Sequence, residues 1–460
     1  AHQVSAKEHT LVDRYPYLKT FTDVLALVEK NYVEPVDVQE LVEGAIKGML
    51  LTLDPHTGYL DTEIYKELQV ETKGQFGGLG IEITVKDGLL TVVAPIEDSP
   101  AARAGILSGD QIIKIGDEFS KDMSLIDAVK KMRGLKGTPI TIHVQREGYT
   151  ELLPVTVVRD VIRVKSVRSR PLEPGFGYIR LAQFQEGSAD EFMKALDSLK
   201  ESAPENLLRG LVIDLRNNPG GLLTQAIRVS DLFLKEGVIV YTEGRLESQR
   251  QKYYAHDDGG EPDFPIIVLV NEGSASASEI VSGALQDHGR ALILGQQTFG
   301  KGSVQTILPM EDGDALRLTT ALYFTKSGRS IQAQGITPDI TVSAKRFPRD
   351  SEELLEEDEK PEPTPGQPIK ERDLPGALKN PSTQQEEQQQ QSKTPTPESA
   401  EESLRIGSRS AMEADLPTLL KEDPQLDEAL RLLKTWHVFK GKPTVEAKQP
   451  SGEAGSGAPA

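Results

Sequence analysis

The stretch Asn271–Gln305 reads NEGSASASEIVSGALQDHGRALILGQQTFGKGSVQ and follows the apolar run IIVLV at Ile266–Val270. The apolar run predicts a buried strand, and the apolar spacing after the serines predicts a helix that begins near Ser276. A serine at such a turn lies where backbone N–H groups are free and the helix dipole is positive. Both features stabilise the oxyanion that forms during acyl transfer, so the turn predicts a nucleophilic serine.

A lysine and a glutamine downstream complete a catalytic arrangement. Lys301 lies between Gly300 and Gly302, and Gln305 follows four residues after the lysine. A serine nucleophile needs a base, and the base needs a group that orients it. Burial would lower the pKa of Lys301 from its usual ~10.4 and free its lone pair for the serine proton. If the chain bends at Gly302, the Gln305 amide oxygen can hold the amine. The segment therefore predicts peptide-bond hydrolysis by a serine–lysine pair.

Simpler interpretations of the same residues remain open. Ser276–Glu279 matches the capping-box pattern, in which the serine only caps the helix. Composition does not choose among Ser274, Ser276 and Ser278. Lys301 could equally be a solvated lysine in a turn.

Two other kinds of site are disfavoured. Residues 295–302 read GQQTFGKG and nearly match the phosphate-cradling loop G-x-x-x-x-G-K-[ST], but Gly302 lacks the hydroxyl that holds magnesium. The residues that follow predict a strand rather than the helix that this loop requires. The seven histidines are scattered and lack the i, i+4 spacing of a metal site. We therefore expect no nucleotide, metal or other cofactor.

The rest of the chain divides into regions of different pattern. Between residues 175 and 342, buried strands such as Leu211–Leu215 alternate with helices, which predicts an α/β core. Residues 76–160 carry short alternating strands and glycine turns, and predict a compact β-rich module. Residues 1–70 show the apolar spacing of helices.

Beyond Phe347 the composition changes. Prolines, acidic residues and glutamines leave little to bury, so residues 348–408 are predicted to be disordered. At Asp423–Pro424 an N-cap and a first-turn proline predict a further helix. Its apolar stripe consists of Leu426, Ala429, Leu430 and Leu433. The stripe could fold back onto its own core or join two subunits.

Bulk composition excludes several classes of function. The 460 residues suffice for two or three domains, and the formal net charge of −19 disfavours a nucleic-acid partner. The chain has no cysteine, which excludes disulfides, thiol catalysis and cysteine-ligated zinc. Its apolar runs fall short of the ~18 residues of a membrane helix, so we expect no direct membrane span. Because it begins at Ala1 without an apolar leader, we expect a mature form after signal removal.

Seven motifs in order resemble the carboxyl-terminal processing peptidases, also called tail-specific proteases. They are YVEP at 32–35, LDPHTGYL at 53–60, the β-rich module at 76–160, DLRNNPGG at 214–221, GSASASEI at 273–280, TFGKGSVQ at 298–305 and SGRSIQAQGITPDI at 327–340. Any one motif is a modest signal. All of them in order make a highly specific match that covers about residues 32–342.

The resemblance implies a role for each residue of the site. The implied residues are the nucleophile Ser276, the general base Lys301, the lysine-orienting Gln305 and the oxyanion-hole amides of Gly221 and Ala277. Pro219 stands where relatives often carry glycine, so the choice between Gly220 and Gly221 is less firm.

The β-rich module resembles a PDZ domain, and Gly78-Leu79-Gly80-Ile81 matches its carboxylate-binding loop. In such a loop backbone N–H groups bind a terminal carboxylate, while the next strand pairs with the peptide. The residues alone predict only a glycine turn before a strand. The resemblance implies that the protein captures substrates with exposed apolar C-termini and that the module gates the active site.

The resemblance also implies an architecture and partners. We expect an α/β fold with a crotonase-like/ClpP-like peptidase core and an inserted PDZ domain. The expected regions are an N-terminal helical region at 1–72 that contributes to the core, the PDZ domain at 73–162, the core at 163–347, a disordered linker at 348–408, a helical segment at 409–440 that could mediate oligomerisation, and a flexible tail at 441–460. Expected partners are a lipoprotein adaptor with helical repeats and further copies of the chain, in the periplasm.

Two other classes of function stay open. The protein could be a tail-binding protein whose PDZ module captures C-termini without turnover, or with turnover only when an adaptor switches it on. The α/β core also resembles acyl-CoA enzymes of the crotonase type, but analogy of fold is a weak basis for function. That class leaves the serine–lysine pair unexplained.

Overall fold

The computed structural model describes residues 11–86, 88–96, 98–146, 148–343, 369–381 and 416–440. The helices are α1 Leu11–Asn31, α2 Val38–Leu51, α3 Thr62–Lys73, α4 Pro100–Arg103, α5 Leu125–Met132, α6 Ser188–Ser202, α7 Leu223–Asp231, α8 Ala277–Asp287, α9 Leu416–Glu422 and α10 Pro424–Lys440. Among the described residues, none of these helices combines the length and the apolar character that crossing a bilayer requires.

Nineteen strands are present in the described ranges. They are β1 Gly58–Leu60, β2 Gln75–Gly78, β3 Ile81–Lys86, β4 Leu89–Pro95, β5 Gln111–Ile115, β6 Glu118–Phe119, β7 Pro139–Gln145, β8 Leu153–Val158, β9 Asp160–Arg163, β10 Val167–Glu173, β11 Phe176–Leu181, β12 Gly210–Asp214, β13 Val238–Gly244, β14 Gln251–Tyr254, β15 Ile266–Val270, β16 Leu292–Gly295, β17 Ser303–Pro309, β18 Ala315–Phe324 and β19 Ile340–Thr341.

The region predicted as the α/β core is built around a six-stranded sheet in the order β10-β11-β12-β15-β16-β19, parallel except for the edge strand β10. Successive side chains of each strand point to opposite faces. Ile213 and Val268 join the core under α6, α7 and α8, whereas Val212 and Leu269 pack against α10. Because both faces are covered, the central strands are apolar at nearly every position. The predicted α/β core is confirmed.

A second sheet carries the part of the core that holds the lysine loop. Its order is β1-β18-β13-β14, and β17 also pairs with β18. Strand β1 comes from the N-terminal region and pairs antiparallel with β18, with Gly58 opposite Arg317. The N-terminal region therefore supplies a strand to the peptidase core.

The β-rich module has its own sheet, β3-β4-β5-β7-β8, with β6 paired to β5. Its interior is a separate apolar cluster that includes Leu90, Ile112 and Ile142. Strands β2 and β9 pair antiparallel, so the chain enters and leaves the module side by side. This is the geometry of a domain inserted into another. The boundaries at 73 and 162 stay a prediction.

Helix α10 covers the back face of the six-stranded sheet. All four residues of the predicted stripe are buried there, in a cluster that includes Phe176 and Leu269. The sheet would otherwise expose this apolar face to water, which explains why the stripe folds back onto its own core. The stripe is therefore not exposed for a contact with a second subunit, and a role of the segment 409–440 in oligomerisation stays a prediction.

Arg216 ties α10 to the strand that leads into the glycine turn. Its guanidinium lies 2.7 Å from carboxylate oxygens of both Asp214 and Asp423. Asp423 also caps α10, because its Oδ1 accepts the Leu426 N–H at 3.0 Å. Burial opposes the ionisation of Asp214, but the charge and hydrogen bonds of Arg216, with smaller effects from its other neighbours, outweigh burial and hold its pKa at about 2.

The Asp423→Ala variant is expected to loosen α10. It removes a helix cap and a charged hydrogen bond, together worth about 2 kcal/mol, so amide exchange at 426–433 should accelerate about 30-fold. Lys434→Ala is the matched control, because it breaks an exposed pair with Glu173 that is worth at most about 1 kcal/mol. Equal exchange rates in the two variants would show that Asp423 does not fasten the helix.

Residues 369–381 correct the predicted linker. They fall inside the segment 348–408, yet Glu371 is fully buried and Asn380 nearly so. Polar side chains of this piece make specific hydrogen bonds to the core, which compositional reasoning cannot foresee. The prediction of disorder is therefore wrong for 369–381. The rest of the linker and the tail 441–460 lie outside the described residues.

Candidate active site

Ser276 lies at the turn between β15 and α8 in a strained backbone conformation. Its φ of 54° and ψ of −111° fall outside the regions that L-residues ordinarily occupy. Its N–H donates to Glu279 Oε2 at 2.8 Å, and its carbonyl oxygen accepts the N–H groups of Glu279 and Ile280 at 2.9 and 3.0 Å. Strain of this kind concentrates at functional sites and persists only where the surroundings enforce it.

Of the three candidate serines, Ser276 has the available hydroxyl. Ser274 Oγ donates to Leu215 O at 2.8 Å and Ser278 Oγ donates to Asn218 O at 2.9 Å, so both are committed to the backbone. Within the described part of the chain the Ser276 hydroxyl makes no helix-capping hydrogen bond, and the residue lines a cleft. The capping interpretation therefore does not account for the Ser276 side chain.

Lys301 lines the same cleft and is largely withdrawn from solvent. Burial lowers the pKa of Lys301, and the positive charge of Arg317 lowers it further. The carboxylates of Glu371, Glu279 and Asp54 act in the opposite direction without reversing the shift. A lysine with a lowered pKa offers a neutral amine more readily near neutral pH, unlike a solvated lysine in a turn.

Glu279, to which sequence analysis gave no role beyond a helix cap, joins the serine turn to the lysine loop. Its Oε1 accepts the Gly300 N–H at 2.8 Å and the Thr298 hydroxyl at 2.5 Å. Its Oε2 accepts the N–H groups of Ser276 and Lys301 at 2.8 and 2.9 Å. Burial raises the pKa of Glu279 to about 7, although these four hydrogen bonds oppose the rise. One buried side chain thus fixes both segments of the site.

The glycine turn after β12 packs closely against Ser276. A Cβ on Gly220 would lie 2.8 Å from Ser276 Cβ and 2.9 Å from Ala277 N. The Gly220 N–H donates to Asn218 Oδ1 at 2.9 Å, whereas in the described ranges the N–H groups of Gly221 and Ala277 have no acceptor. The two amides that the resemblance implies for the oxyanion hole are therefore free of other hydrogen bonds within the described part of the chain.

Gln305 reaches the cleft at a β-bulge between Val304 and Gln305. Its Nε2 donates to Thr319 Oγ1 at 2.9 Å, and the Thr319 hydroxyl in turn donates to Asp54 Oδ1 at 3.0 Å. These two hydrogen bonds fix the orientation of the Gln305 side-chain amide, with Nε2 toward Thr319. Its Oε1 is buried and has no hydrogen-bond partner among the described residues, so the predicted bond to the Lys301 amine is not formed here.

The cleft has a volume of about 920 Å³. Helix α3 forms one wall and the glycine turn another. The apolar residues that line it are Leu68, Phe184, Leu223, Val304, Ile307 and Tyr323. An open cleft with apolar walls and a few convergent polar groups suits an extended peptide segment.

A second groove lies on the β-rich module, about 240 Å³ in volume, between the predicted carboxylate-binding loop and α5. All four predicted loop residues line it: Gly78, Leu79, Gly80 and Ile81. Its other walls are mainly apolar and include Ile83, Leu125, Val129 and Met132. The groove can therefore hold an apolar peptide end beside a loop of backbone amides.

Three family models match the chain. The model of the activating protease CtpB N-terminal domain matches residues 1–64, and the PDZ domain model matches residues 77–157. The model of peptidase family S41 matches residues 175–342 and so contains the serine turn, the lysine loop and the glycine turn.

Curated relatives match over most of their length. The carboxy-terminal-processing protease of Bartonella bacilliformis is 52% identical over 328 residues, which cover 71% of this chain and 75% of the relative. The carboxyl-terminal-processing protease of Synechocystis sp. is 39% identical, with coverage of 69% and 74%. Among solved structures, a photosystem II D1 C-terminal processing protease is 29% identical, with a TM-score of 0.42 and coverage of 72% and 88%. The resemblance inferred from the motifs is confirmed, and the chain belongs to the carboxy-terminal-processing proteases, PDZ-containing serine-type hydrolases of peptidase family S41.

Proposed function

We propose that this protein is an endopeptidase that captures C-terminal tails in its PDZ groove and hydrolyses peptide bonds with Ser276 and Lys301. The observation that carries the proposal is the presence in one cleft of an available serine hydroxyl and a largely buried lysine of lowered pKa. Glu279 fixes the backbone of both residues. The solvated-lysine and helix-cap interpretations explain neither feature.

The proposal assigns a residue to each step of the reaction. Neutral Lys301 accepts the Ser276 hydroxyl proton as the serine oxygen attacks the peptide carbonyl carbon. The oxyanion that forms accepts hydrogen bonds from the N–H groups of Gly221 and Ala277. Protonated Lys301 then gives its proton to the leaving amine, and an acyl-enzyme remains. Water attacks that ester with Lys301 again as base, which regenerates the serine.

Gln305 completes this scheme as the residue that orients the lysine. Its amide is held by Thr319, and its Oε1 is left as a buried acceptor. A protonated lysine amine carries three donors and needs acceptors when it is withdrawn from water. We assign Oε1 to that amine during the step in which Lys301 holds the proton.

The PDZ groove supports recognition of apolar tails. Its loop offers backbone N–H groups for a terminal carboxylate, while the walls around it are apolar. Occupation of the groove would bring the tail close to β2 and β9, through which the chain enters and leaves the module. Gating of the cleft by the PDZ domain is part of this proposal.

A reporter with two matched tails tests the proposal. We expect an unstructured polypeptide that ends in apolar residues to be cleaved, and the same polypeptide with a C-terminal amide to be cleaved with a KM at least about 10-fold higher. The Leu125→Asp variant should raise KM for the free-carboxylate reporter about 10-fold, because Leu125 lines the groove. Lys121→Ala, which leaves the groove intact, is the control, and the Ser276→Ala protein is the blank. Binding of the tail without any cleavage would favour the alternative of a tail-binding protein.

Location and partners rest on the resemblance. We include in the proposal a periplasmic location, a lipoprotein adaptor with helical repeats and self-assembly of the chain. Exposed apolar side chains on α1, among them Tyr17, Leu18 and Leu27, support an assembly surface. If light scattering of the full chain gave the mass of one subunit, the proposal of self-assembly would be wrong.

A further inference from the structure

The segment 369–381, which we call the strap, places a buried carboxylate behind the lysine loop. Glu371 is fully buried, and its two carboxylate oxygens lie 3.0 and 2.7 Å from His56 Nε2. Its Oε1 also accepts a hydrogen bond from Gln332 Nε2 at 2.9 Å. Removing an ionised carboxylate from water is costly unless it is paired in this way, so the strap is specifically seated rather than loosely packed.

The strap is hydrogen-bonded to the loop on both sides of Lys301, directly before the lysine and through Gln332 after it. The Glu371 N–H donates to Phe299 O at 3.2 Å, two residues before the lysine. One residue after the lysine, the Gly302 N–H donates to Gln332 Oε1 at 3.0 Å. The same Gln332 amide donates to Glu371, so one glutamine connects the strap carboxylate to the loop backbone.

The C-terminal end of the strap holds Gln332 in position. Asn380 Nδ2 donates to Gln332 O at 2.8 Å. A Cβ on Gly302 would lie 2.2 Å from Gln332 N, so the lysine loop rests directly on this backbone. The strap, Gln332 and the loop therefore form one hydrogen-bonded unit.

The strap also reaches the groups that orient Gln305. His56 belongs to the turn in which Asp54 Oδ1 accepts the His56 N–H at 2.8 Å. The same Asp54 oxygen accepts the hydroxyl of Thr319, which holds the Gln305 amide. A continuous chain of hydrogen bonds thus runs from Glu371 to the residue that orients the lysine.

We propose that Glu371 is a positioning residue for peptide hydrolysis, and that the strap is the part of the active-site support that fixes the Lys301 loop and the Asp54–His56 turn. The inference rests on the proposed roles of Lys301 and Gln305. It concerns residues beyond 342, where the match to the S41 model ends, so the family comparison does not contain it.

The negative charge of Glu371 predicts a measurable effect on the pH dependence of the reaction. Burial and Arg317 lower the pKa of Lys301, and the carboxylates of Glu371, Glu279 and Asp54 raise it. Removing the charge of Glu371 alone must therefore lower the pKa of Lys301 further. Because Lys301 acts as a base in its neutral form, the acid limb of the kcat/KM profile then moves to lower pH. A purely structural defect lowers the rate without moving this limb.

Two substitutions at Glu371 separate positioning from folding. We expect Glu371→Gln to move the acid limb down by about 0.5 to 1 pH unit. We expect Glu371→Ala to lower kcat at least about 10-fold with KM unchanged within about twofold, because the loop loses its support. Arg372→Ala is the control, since Arg372 lies on the same strap with an exposed side chain. An unmoved limb in Glu371→Gln together with wild-type kcat in Glu371→Ala would overturn the proposal.

A readout that needs no turnover separates this inference from the proposed function. In Glu371→Ala the amides of residues 300–305 should exchange at least about 10-fold faster, while those of β12 and β15 keep wild-type rates. Unchanged exchange at 300–305 would overturn the role of the strap even if the enzyme were inactive. Labelling by a serine-reactive fluorophosphonate that is equal in wild type, Ser276→Ala and Lys301→Ala would instead overturn the proposed function and leave the exchange result standing.

Discussion

The Lys301→Ala variant is expected to cleave an apolar-tailed reporter about 10³-fold more slowly than the wild type, measured as kcat/KM near neutral pH. In the proposed mechanism, alanine removes the group that accepts the Ser276 proton and returns a proton to the leaving amine. The remaining rate should come from binding and from the oxyanion amides of Gly221 and Ala277, which the substitution does not touch.

Two comparisons make this loss specific. Lys326→Ala removes a lysine elsewhere on the same core that is exposed, and it should keep the wild-type rate. The double variant Ser276→Ala/Lys301→Ala should be no slower than either single variant, because the two residues act as a unit. Cleavage by Lys301→Ala at the wild-type rate would place the base elsewhere.

The pH dependence of the wild type follows from the same lysine. Burial lowers the pKa of Lys301, and only the neutral amine is a base, so kcat/KM should rise with pH through that pKa. The limb should lie below the ~10.4 of an ordinary lysine. A limb that persists unchanged in Lys301→Ala would show that it reports another group.

The sequence was sufficient to predict the central sheet and the position of Ser276 at the strand-to-helix turn. In β12 and β15 every residue is apolar or buried, and this pattern is typical of parallel strands covered on both faces. The strand-to-helix turn that follows β15 is a local feature, so the position of Ser276 at the start of α8 could be predicted from a few neighbouring residues.

What could not be predicted depends on contacts between distant segments. The capping-box pattern indicated Glu279 as a partner of Ser276, but the lysine loop that shares this carboxylate lies 21 to 22 residues further along the chain. Without the resemblance, composition left Ser274, Ser276 and Ser278 equivalent, and only the hydrogen bonds of Ser274 and Ser278 to backbone after β12 distinguish them from Ser276. The strap was missed because a polar, proline-rich composition says nothing about one carboxylate that pairs with His56.

The Gly220→Ala variant is expected to lower kcat by about 10² to 10³-fold, with a smaller change in KM. The added methyl group would lie 2.8 Å from Ser276 Cβ, 2.8 Å from Ala275 O and 2.9 Å from Ala277 N, and all three are closer than real contacts allow. None of these atoms is the end of a flexible side chain. Relief therefore requires the serine turn or the glycine turn to move.

Such a movement acts on the transition state more than on substrate binding. In the proposed mechanism the amides of Gly221 and Ala277 stabilise negative charge only while they point at the same oxygen. Separating them by a fraction of an ångström would remove a hydrogen bond that forms in the transition state. Gly220 itself contributes no amide to the oxyanion, because its N–H is bonded to Asn218. The predicted loss of kcat would thus arise because the added methyl group fills the space that glycine leaves open beside the serine turn.

Gly187→Ala separates this steric effect from backbone strain. Gly187 has a φ of 85°, comparable to the 103° of Gly220, but a Cβ there meets nothing within 4 Å. Both alanines cost about 1 to 2 kcal/mol for a positive φ. Gly220→Ala carries the cost of its close contacts in addition, so it should lower the melting temperature more than Gly187→Ala does. Only Gly220→Ala should lower kcat. If the two variants kept equal kcat values, the glycine turn would not be in contact with the catalytic serine in the working enzyme, and the oxyanion hole would have to be sought among other amides of the cleft.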